Sequence, residues 1–285
     1  MQWRGRRQSR NIEDRRSRGG GSGGARVVGG GSLGILAIVV IGWIFGIDLT
    51  PLLQDASVQQ PQGGGQITAA DEERAQFVAV TLADTEEVWA DVFAEQVGRP
   101  YDPATMVLFK GVTQSPCGGA SGASGPFYCP ADEKAYLDTD FFVTMERRLG
   151  AGGDFAAAYV VAHEIAHHVQ DELGILSEAN AIRQRVSERE ANAISVRIEL
   201  QADCFAGIWA AKADERFDSL DKGDVGEAMN AAKQIGDDTL QRNAGRAPNP
   251  HTFTHGTSEQ RQRWFARGFD TGDMRECDTF SADRL

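Results

Sequence analysis

Residues 155–173 read FAAAYVVAHEIAHHVQDEL, and this stretch decides how the rest of the sequence is interpreted. Its apolar positions recur at helical spacing, and Asp154 can cap the helix at its N-terminus. Within it, His163, Glu164 and His167 form the HExxH pattern. Residues four apart lie on one face of a helix, so both imidazoles can bind one zinc ion, with the glutamate beside them as a proton acceptor. We therefore predict a zinc site on this helix; the alternative is a pair of buried structural histidines.

A catalytic zinc ion usually has three protein ligands and one open position, so a third ligand is expected elsewhere in the chain. The pattern with a third histidine six residues beyond the motif needs a glycine and then that histidine where this chain has Gln170 and Leu173, so it is excluded. Downstream, Glu199 and Asp203 are again four apart on a predicted helix. One carboxylate can bind zinc while the other accepts the second N–H of a ligand histidine. We predict Glu199 as the ligand and Asp203 as the histidine's partner; the reverse assignment and two solvated acids are the alternatives.

The N-terminal segment differs in charge from the rest of the chain. Residues 1–26 carry eight arginines against Glu13 and Asp14, a local charge of +6. Because the whole chain carries −12, the remaining residues carry −18. A folded part this acidic repels phosphate backbones, so we expect no nucleic-acid partner. An RNA-binding tail is the alternative interpretation of the Arg/Gly-rich start.

An apolar segment follows this basic start. Residues 27–47 carry no charge and include the run LGILAIVVIGWIFGI at 33–47, about the length that a helix needs to cross a bilayer. We predict a retained transmembrane helix at 27–47, a cytoplasmic tail at 1–26, a flexible linker at 48–66 and an extracytoplasmic domain at 67–285. The protein would then lie in the inner (cytoplasmic) membrane as a single-pass protein. A cleaved signal peptide or a buried core helix is the alternative.

Within residues 67–285 the patterns predict an α+β domain that is mostly helical. A long amphipathic helix starts after Thr68 and ends near Gly98. Short extended segments follow before the central helix, and further helices come after it. The predicted strands are 105–110, 127–129 and 134–137, and the later predicted helices are 178–214 as one or two pieces, 225–241 and 259–267.

The four cysteines lie in the predicted extracytoplasmic domain, where disulfides persist. Cys117 and Cys129 flank a Gly/Ser-rich loop with few apolar groups to hold it, so a bridge closing this loop is favoured. The remaining pair would be Cys204 and Cys277. Two other pairings and free buried cysteines are the alternatives. The cysteine spacing does not favour a structural zinc site.

Three histidines remain outside the motif's ligand pair. His168 is rotated by about 100° from the ligand histidine that precedes it, so it points away from the metal face. His251 lies in a Pro-rich loop. His255 is followed by Gly256 and by a helix start at Thr257, which would fix a short loop. We predict that His255 donates to the oxyanion of the reaction; a plain loop histidine is the alternative.

These patterns together resemble the bacterial family of neutral zinc metallopeptidases with one N-terminal membrane anchor. The resemblance covers nearly the whole chain and is carried by the Arg/Gly-rich start and apolar span and by residues 117–118, 127–130, 136–138, 163–167, 199–204, 255–258 and 260–261. It implies a gluzincin-like fold, peptidase activity and one Zn²⁺. It also implies that the strand at 134–137 forms the sheet edge along which an extended peptide binds.

We therefore expect a membrane-anchored zinc peptidase that hydrolyses peptide bonds outside the cytoplasm. Glu164 would take a proton from zinc-bound water, and the substrate would be a peptide or a protein. Two alternatives are open. One is a noncatalytic zinc-binding envelope protein that binds or regulates a partner, and the other is zinc hydrolysis of a nonpeptide amide.

Overall fold

The computed structural model describes residues 1–17, 67–121 and 125–285. The predicted membrane span at 27–47 and the predicted linker at 48–66 lie outside these residues. Among the helices that are described, none combines the length and the apolar character needed to cross a bilayer.

The described chain begins with a short strand and continues with a long helix, a group of strands and a run of helices. The first strand is β1 (Ile12–Asp14), and helix α1 (Ala69–Val92) continues as a π-helical turn (Phe93–Val97). The strands that follow are β2 (Thr105–Phe109), β3 (Val112–Ser115), β4 (Gly118–Ser121), β5 (Phe127–Cys129) and β6 (Lys134–Asp138). The helices that follow are α2 (Phe141–Thr144) with a π-helical turn (Met145–Leu149), α3 (Asp154–Glu172), α4 (Ile175–Arg183), α5 (Glu188–Phe217), α6 (Asp224–Gln234), α7 (Asp237–Asn243) and α8 (Ser258–Thr271). Two 3₁₀ turns (Pro250–Thr252 and Met274–Cys277) flank α8.

The predicted α+β class, mostly helical with a small sheet before the central helix, is confirmed. Helix α1 begins as expected, because Thr68 and Asp71 form a reciprocal capping box. The segment predicted at 178–214 forms two helices, and Ser187 caps the second of them. Helix α3 starts after Gly153, so Asp154 lies in the first turn and does not cap it.

The main sheet has the strand order β1-β2-β6-β5. Strand β2 pairs in parallel with both β1 and β6, and β5 pairs antiparallel with β6. The prediction that 134–137 forms the sheet edge is therefore wrong, because β6 has a neighbour on each side. Its residues Ala135, Tyr136 and Leu137 are completely buried, as a central strand requires. The edge strand that follows β6 in the sheet order is β5.

Residues 1–17 pack against the domain that the described part of residues 67–285 forms. Ile12 lies opposite Met106 in the β1–β2 pair, and the Trp3 ring meets the Phe77 ring edge to face at 5.4 Å. Arg16 is buried and donates to the carboxylate of Glu72 and to the backbone carbonyl of Asp71. This differs from the prediction of a separate tail at 1–26. A single span at 27–47 would place a bilayer between these segments, so the span and the packing exclude each other within one chain.

Helix α3 lies at the centre of the domain and carries the HExxH residues. Most of its residues are buried. Helices α5 and α8 pack closely, since a Cβ atom added to Gly268 would lie 1.8 Å from the carbonyl oxygen of Cys204. The bridges Cys117–Cys129 and Cys204–Cys277 are both formed, which confirms the predicted pairing. The second bridge ties α5 to the 3₁₀ turn after α8.

Candidate metal centre

Three predicted ligands converge where α3 faces α5. His163 Nε2 lies 3.0 Å from Glu199 Oε2, and His167 Nε2 lies 3.5 Å from Glu199 Oε1. The ligand atoms of the three residues all lie within 4.8 Å of one another. The two histidines share a face because they are one helical turn apart, and Glu199 reaches them from the middle of α5.

The chemistry of this donor set fits a zinc ion. Two imidazole nitrogens and one carboxylate are the ligands of many catalytic zinc sites, and they leave one position for water or substrate. Burial alone would raise the pKa of Glu199, but His167 and His255, with the hydrogen bond from His163, hold that pKa well below its usual range. The carboxylate is therefore ionised and able to bind a cation.

Asp203 lies behind His163, on the side away from the other ligands. Its Oδ1 is 2.9 Å from His163 Nδ1. This distance is short enough for a hydrogen bond, but the two groups are not aligned as a hydrogen bond requires. Asp203 is completely buried and also accepts from Tyr159 and from both nitrogens of the Arg261 fork, at 2.8 and 3.0 Å. Burial would raise the pKa of Asp203, but Arg261 and His163 keep it below its usual value. The geometry favours Glu199 as the ligand and Asp203 as the partner of His163.

Sequence reasoning did not assign roles to Tyr159 and Arg261. Tyr159 lies four residues before His163, so its helical spacing could have placed it on the ligand face. Arg261 lies on α8, 58 residues after Asp203, and no local pattern links the two. Together Tyr159 and Arg261 pair with the buried Asp203 carboxylate, which without partners would destabilise the fold.

Glu164 lies between the two ligand histidines in sequence and is buried. Burial raises the pKa of its carboxyl group, while the neighbouring His167 and His163 oppose that rise. A buried carboxylate with a raised pKa is a stronger base than an exposed one, which suits it to accept a proton.

His255 lies on a loop that is held by the first residue of α7. The Oδ2 atom of Asp237 accepts the backbone N–H groups of Thr254, His255 and Gly256, at 2.7 to 3.0 Å. The imidazole Nδ1 lies 3.0 Å from Thr254 Oγ1 and 3.3 Å from Asp237 Oδ1. Burial would lower the pKa of His255, but Glu199 and Asp237 raise it. The imidazole is therefore within electrostatic reach of the third metal ligand, and sequence reasoning missed the anchoring role of Asp237.

The two other histidines lie outside the centre. His251 is exposed. His168 is buried, and its Nε2 lies 2.7 Å from the carbonyl oxygen of Asp102 while its Nδ1 lies 3.1 Å from the hydroxyl of Tyr128. These contacts confirm that it points away from the metal face and show that it ties the edge strand β5 to α3.

Comparison with known proteins gives a family and relatives for this chain. The family described as "Putative neutral zinc metallopeptidase" matches residues 1–280. The chain is 45% identical over 285 residues to the uncharacterized protein YpfJ of Escherichia coli K12, covering 98% of this chain and 99% of that protein. It is 43% identical over 218 residues to the uncharacterized protein Rv2575 of Mycobacterium tuberculosis, covering 73% of this chain and 71% of that protein. No solved structure matches.

Proposed function

Because the chain belongs to the neutral zinc metallopeptidase family, we propose that it is a zinc-dependent peptidase that hydrolyses peptide bonds. The observation that carries this proposal is the convergence of His163, His167 and Glu199 within 4.8 Å, with Glu164 on the same helix as the histidines. This is the donor set of a catalytic site, because a purely structural zinc site usually has four protein ligands.

Each residue of the centre has a part in the proposed reaction. His163, His167 and Glu199 would hold the zinc ion, which when bound supplies a Lewis acid for the scissile carbonyl and lowers the pKa of water. Glu164 accepts the proton of the attacking water and returns it to the leaving amine. His255 donates a hydrogen bond to the carbonyl oxygen as negative charge develops there. Asp203 orients His163 and Asp237 orients His255, in each case from the Nδ1 side of the imidazole ring.

The substrate peptide is proposed to bind along β5. This strand pairs with β6 on one side, and within the described residues its other side carries no further strand. The Tyr128 hydroxyl joins β5 to His168, the residue after the ligand His167. An extended peptide that adds to this edge would lie alongside the zinc helix α3, and its main chain would supply most of the binding.

We also propose that the catalytic domain lies outside the cytoplasm. The second part of this proposal, attachment to the inner membrane through a single span at 27–47, holds only if residues 1–17 do not pack on the domain of the same chain. The support for the first part is chemical, because the disulfides Cys117–Cys129 and Cys204–Cys277 persist in oxidising compartments. The attachment is a prediction from the apolar run alone.

Metal analysis of the full chain, combined with cleavage of a diverse peptide set, tests the proposed activity. We expect one zinc ion per chain, and Glu164→Gln should retain it while kcat falls by about 10²–10⁴-fold. Glu199→Ala should lose most of the metal, whereas Asp203→Ala should weaken zinc affinity by about 10–100-fold. If Asp203→Ala removes the metal and Glu199→Ala does not, the ligand assignment is reversed. Bound zinc without cleavage of any peptide would favour the noncatalytic alternative.

A further inference from the structure

The second ring nitrogen of His167 has an amide partner. Its Nδ1 lies 2.9 Å from Oε1 of Gln170, which is completely buried one turn further along α3. An amide can turn either its oxygen or its NH₂ group toward a neighbour, so the orientation has to follow from the other contacts of the same side chain.

Two backbone carbonyls fix that orientation. Gln170 Nε2 lies 2.8 Å from the carbonyl oxygen of Ile198 and 3.0 Å from Gln201 Oε1. Gln201 Nε2 in turn lies 3.1 Å from the carbonyl oxygen of Cys277. A carbonyl oxygen can only accept, so each glutamine must present its NH₂ group to the backbone. Gln170 then faces His167 with its oxygen, and His167 Nδ1 must be the donor.

We propose that Gln170 is a positioning residue that keeps the proton of His167 on Nδ1 and so reserves Nε2 for the metal, with Gln201 holding Gln170 in this orientation. The inference rests on the proposed zinc site. Here Gln170 and Gln201 are called the amide relay. It runs from α3 across α5 to the 3₁₀ turn that the Cys204–Cys277 bridge attaches to α5.

The amide relay differs in charge from the partner of the other ligand. His163 faces the carboxylate of Asp203, which is balanced by Arg261, whereas the amide relay behind His167 carries no charge. A carboxylate at 170 would face the carbonyl oxygen of Ile198 and the amide oxygen of Gln201, both of which are acceptors. Gln170→Glu should therefore fail to reproduce the wild-type zinc affinity, although glutamate has nearly the same shape.

The test compares Gln170→Met with Gln184→Met in the full chain. Methionine has similar volume and lacks the amide, and Gln184 is an exposed glutamine outside the amide relay. Competition with a chelator should show zinc affinity about 10–100-fold weaker for Gln170→Met, a smaller loss for Gln201→Met, and no loss for Gln184→Met. Equal zinc affinities for Gln170→Met and Gln184→Met would overturn the proposal.

A second readout needs no substitution and separates the amide relay from the proposed function. A buried, hydrogen-bonded Nδ1 proton exchanges slowly with water, so NMR of imidazole-labelled protein should detect this proton on His167 with zinc and without it. If zinc does not bind at all but the protected Nδ1 proton is present, the proposed function fails, while the placement of this proton by the amide relay stands. If the wild-type protein lacks this protected proton in both states, the amide relay is overturned.

Discussion

At the scale of single residues, His255 is the side chain whose role is most directly open to measurement. Asp237 holds its loop through backbone N–H groups, so the imidazole is fixed before substrate arrives. We expect His255→Ala to retain zinc and to lower kcat by about 10²–10³-fold with little change in KM, because the contact forms mainly in the transition state. His251→Ala, at an exposed histidine, is the matched control. Loss of zinc would make His255 a ligand, and an unchanged kcat would remove it from the mechanism.

Asp84 on α1 is predicted to give the protein a distinctive pH dependence. One of its oxygens accepts from Arg6 at 2.7 Å, while the other is buried and has no hydrogen-bond partner among the described residues. Burial raises the pKa of Asp84 to about 7, despite the opposing charge of Arg6. The unfolded chain releases this proton near pH 4, so the group lowers the free energy of unfolding as pH rises from about 4 to about 7.

Thermal unfolding between pH 4 and pH 8 measures this effect. We expect the midpoint of Asp84→Asn to fall less than the wild-type midpoint as the pH rises through this window, because asparagine does not titrate. Asp91→Asn, at an exposed acid of the same helix, should follow the wild type. If the unfolding midpoints of the wild type and of Asp84→Asn change in parallel with pH, the carboxyl group of Asp84 does not cause the loss of stability.

The sequence predicted some residues of the centre and not others for a physical reason. His163, His167, Glu199 and Asp203 form two pairs with helical spacing of four, and a local pattern reveals such pairs. The residues behind them come from distant positions, as when Arg261 meets Asp203 across 58 residues. Such contacts depend on how helices pack, which periodicity within one helix does not encode.

At the scale of elements, the order of strands in the sheet also depends on contacts between distant segments, which local patterns do not reveal. The segments that form β2, β5 and β6 could be predicted from composition and turns, but their order could not. Strand β1 arrives from far upstream and pairs with β2, and β6 is enclosed between β2 and β5. A proline at Ala135 is therefore expected to disrupt a buried ladder rather than to act on substrate binding alone.

The edge strand β5 is held to α3 by the Tyr128 hydroxyl, which also donates to Asp171 at 2.8 Å. Tyr128→Phe removes these bonds and should loosen the edge where we place the substrate. A hydrogen bond contributes about 0.5–1.5 kcal/mol, so we expect KM to rise by about 2–10-fold with zinc content unchanged. The control is Tyr136→Phe, because the Tyr136 hydroxyl donates to Asp132 and not to the zinc helix. Equal KM values for the two variants would remove β5 from substrate binding.

At the scale of the whole molecule, the charges of the N-terminal segment have partners. Arg6 pairs with Asp84, and Arg7 pairs with Glu86 and Glu87, all on α1. An excess of arginine before an apolar run is typical of a cytoplasmic tail, but the same arginines also complement an acidic helix. Composition alone does not distinguish a cytoplasmic tail from a segment that pairs with an acidic helix, because it does not show which acidic groups the arginines contact.

The packing of residues 1–17 leads to a prediction about the chain as a whole. Because these residues bury Trp3 and Arg16 against the domain, both segments should lie on the same side of the membrane. Gln8 and Ser281 are exposed and lie on the two segments. We expect Gln8→Cys and Ser281→Cys to react alike with a membrane-impermeant maleimide in intact spheroplasts, since the four native cysteines are paired and should not react. A single span at 27–47 requires that only one of the two positions react before the membrane is permeabilised, and that result would show that residues 1–17 do not pack on the domain in the cell.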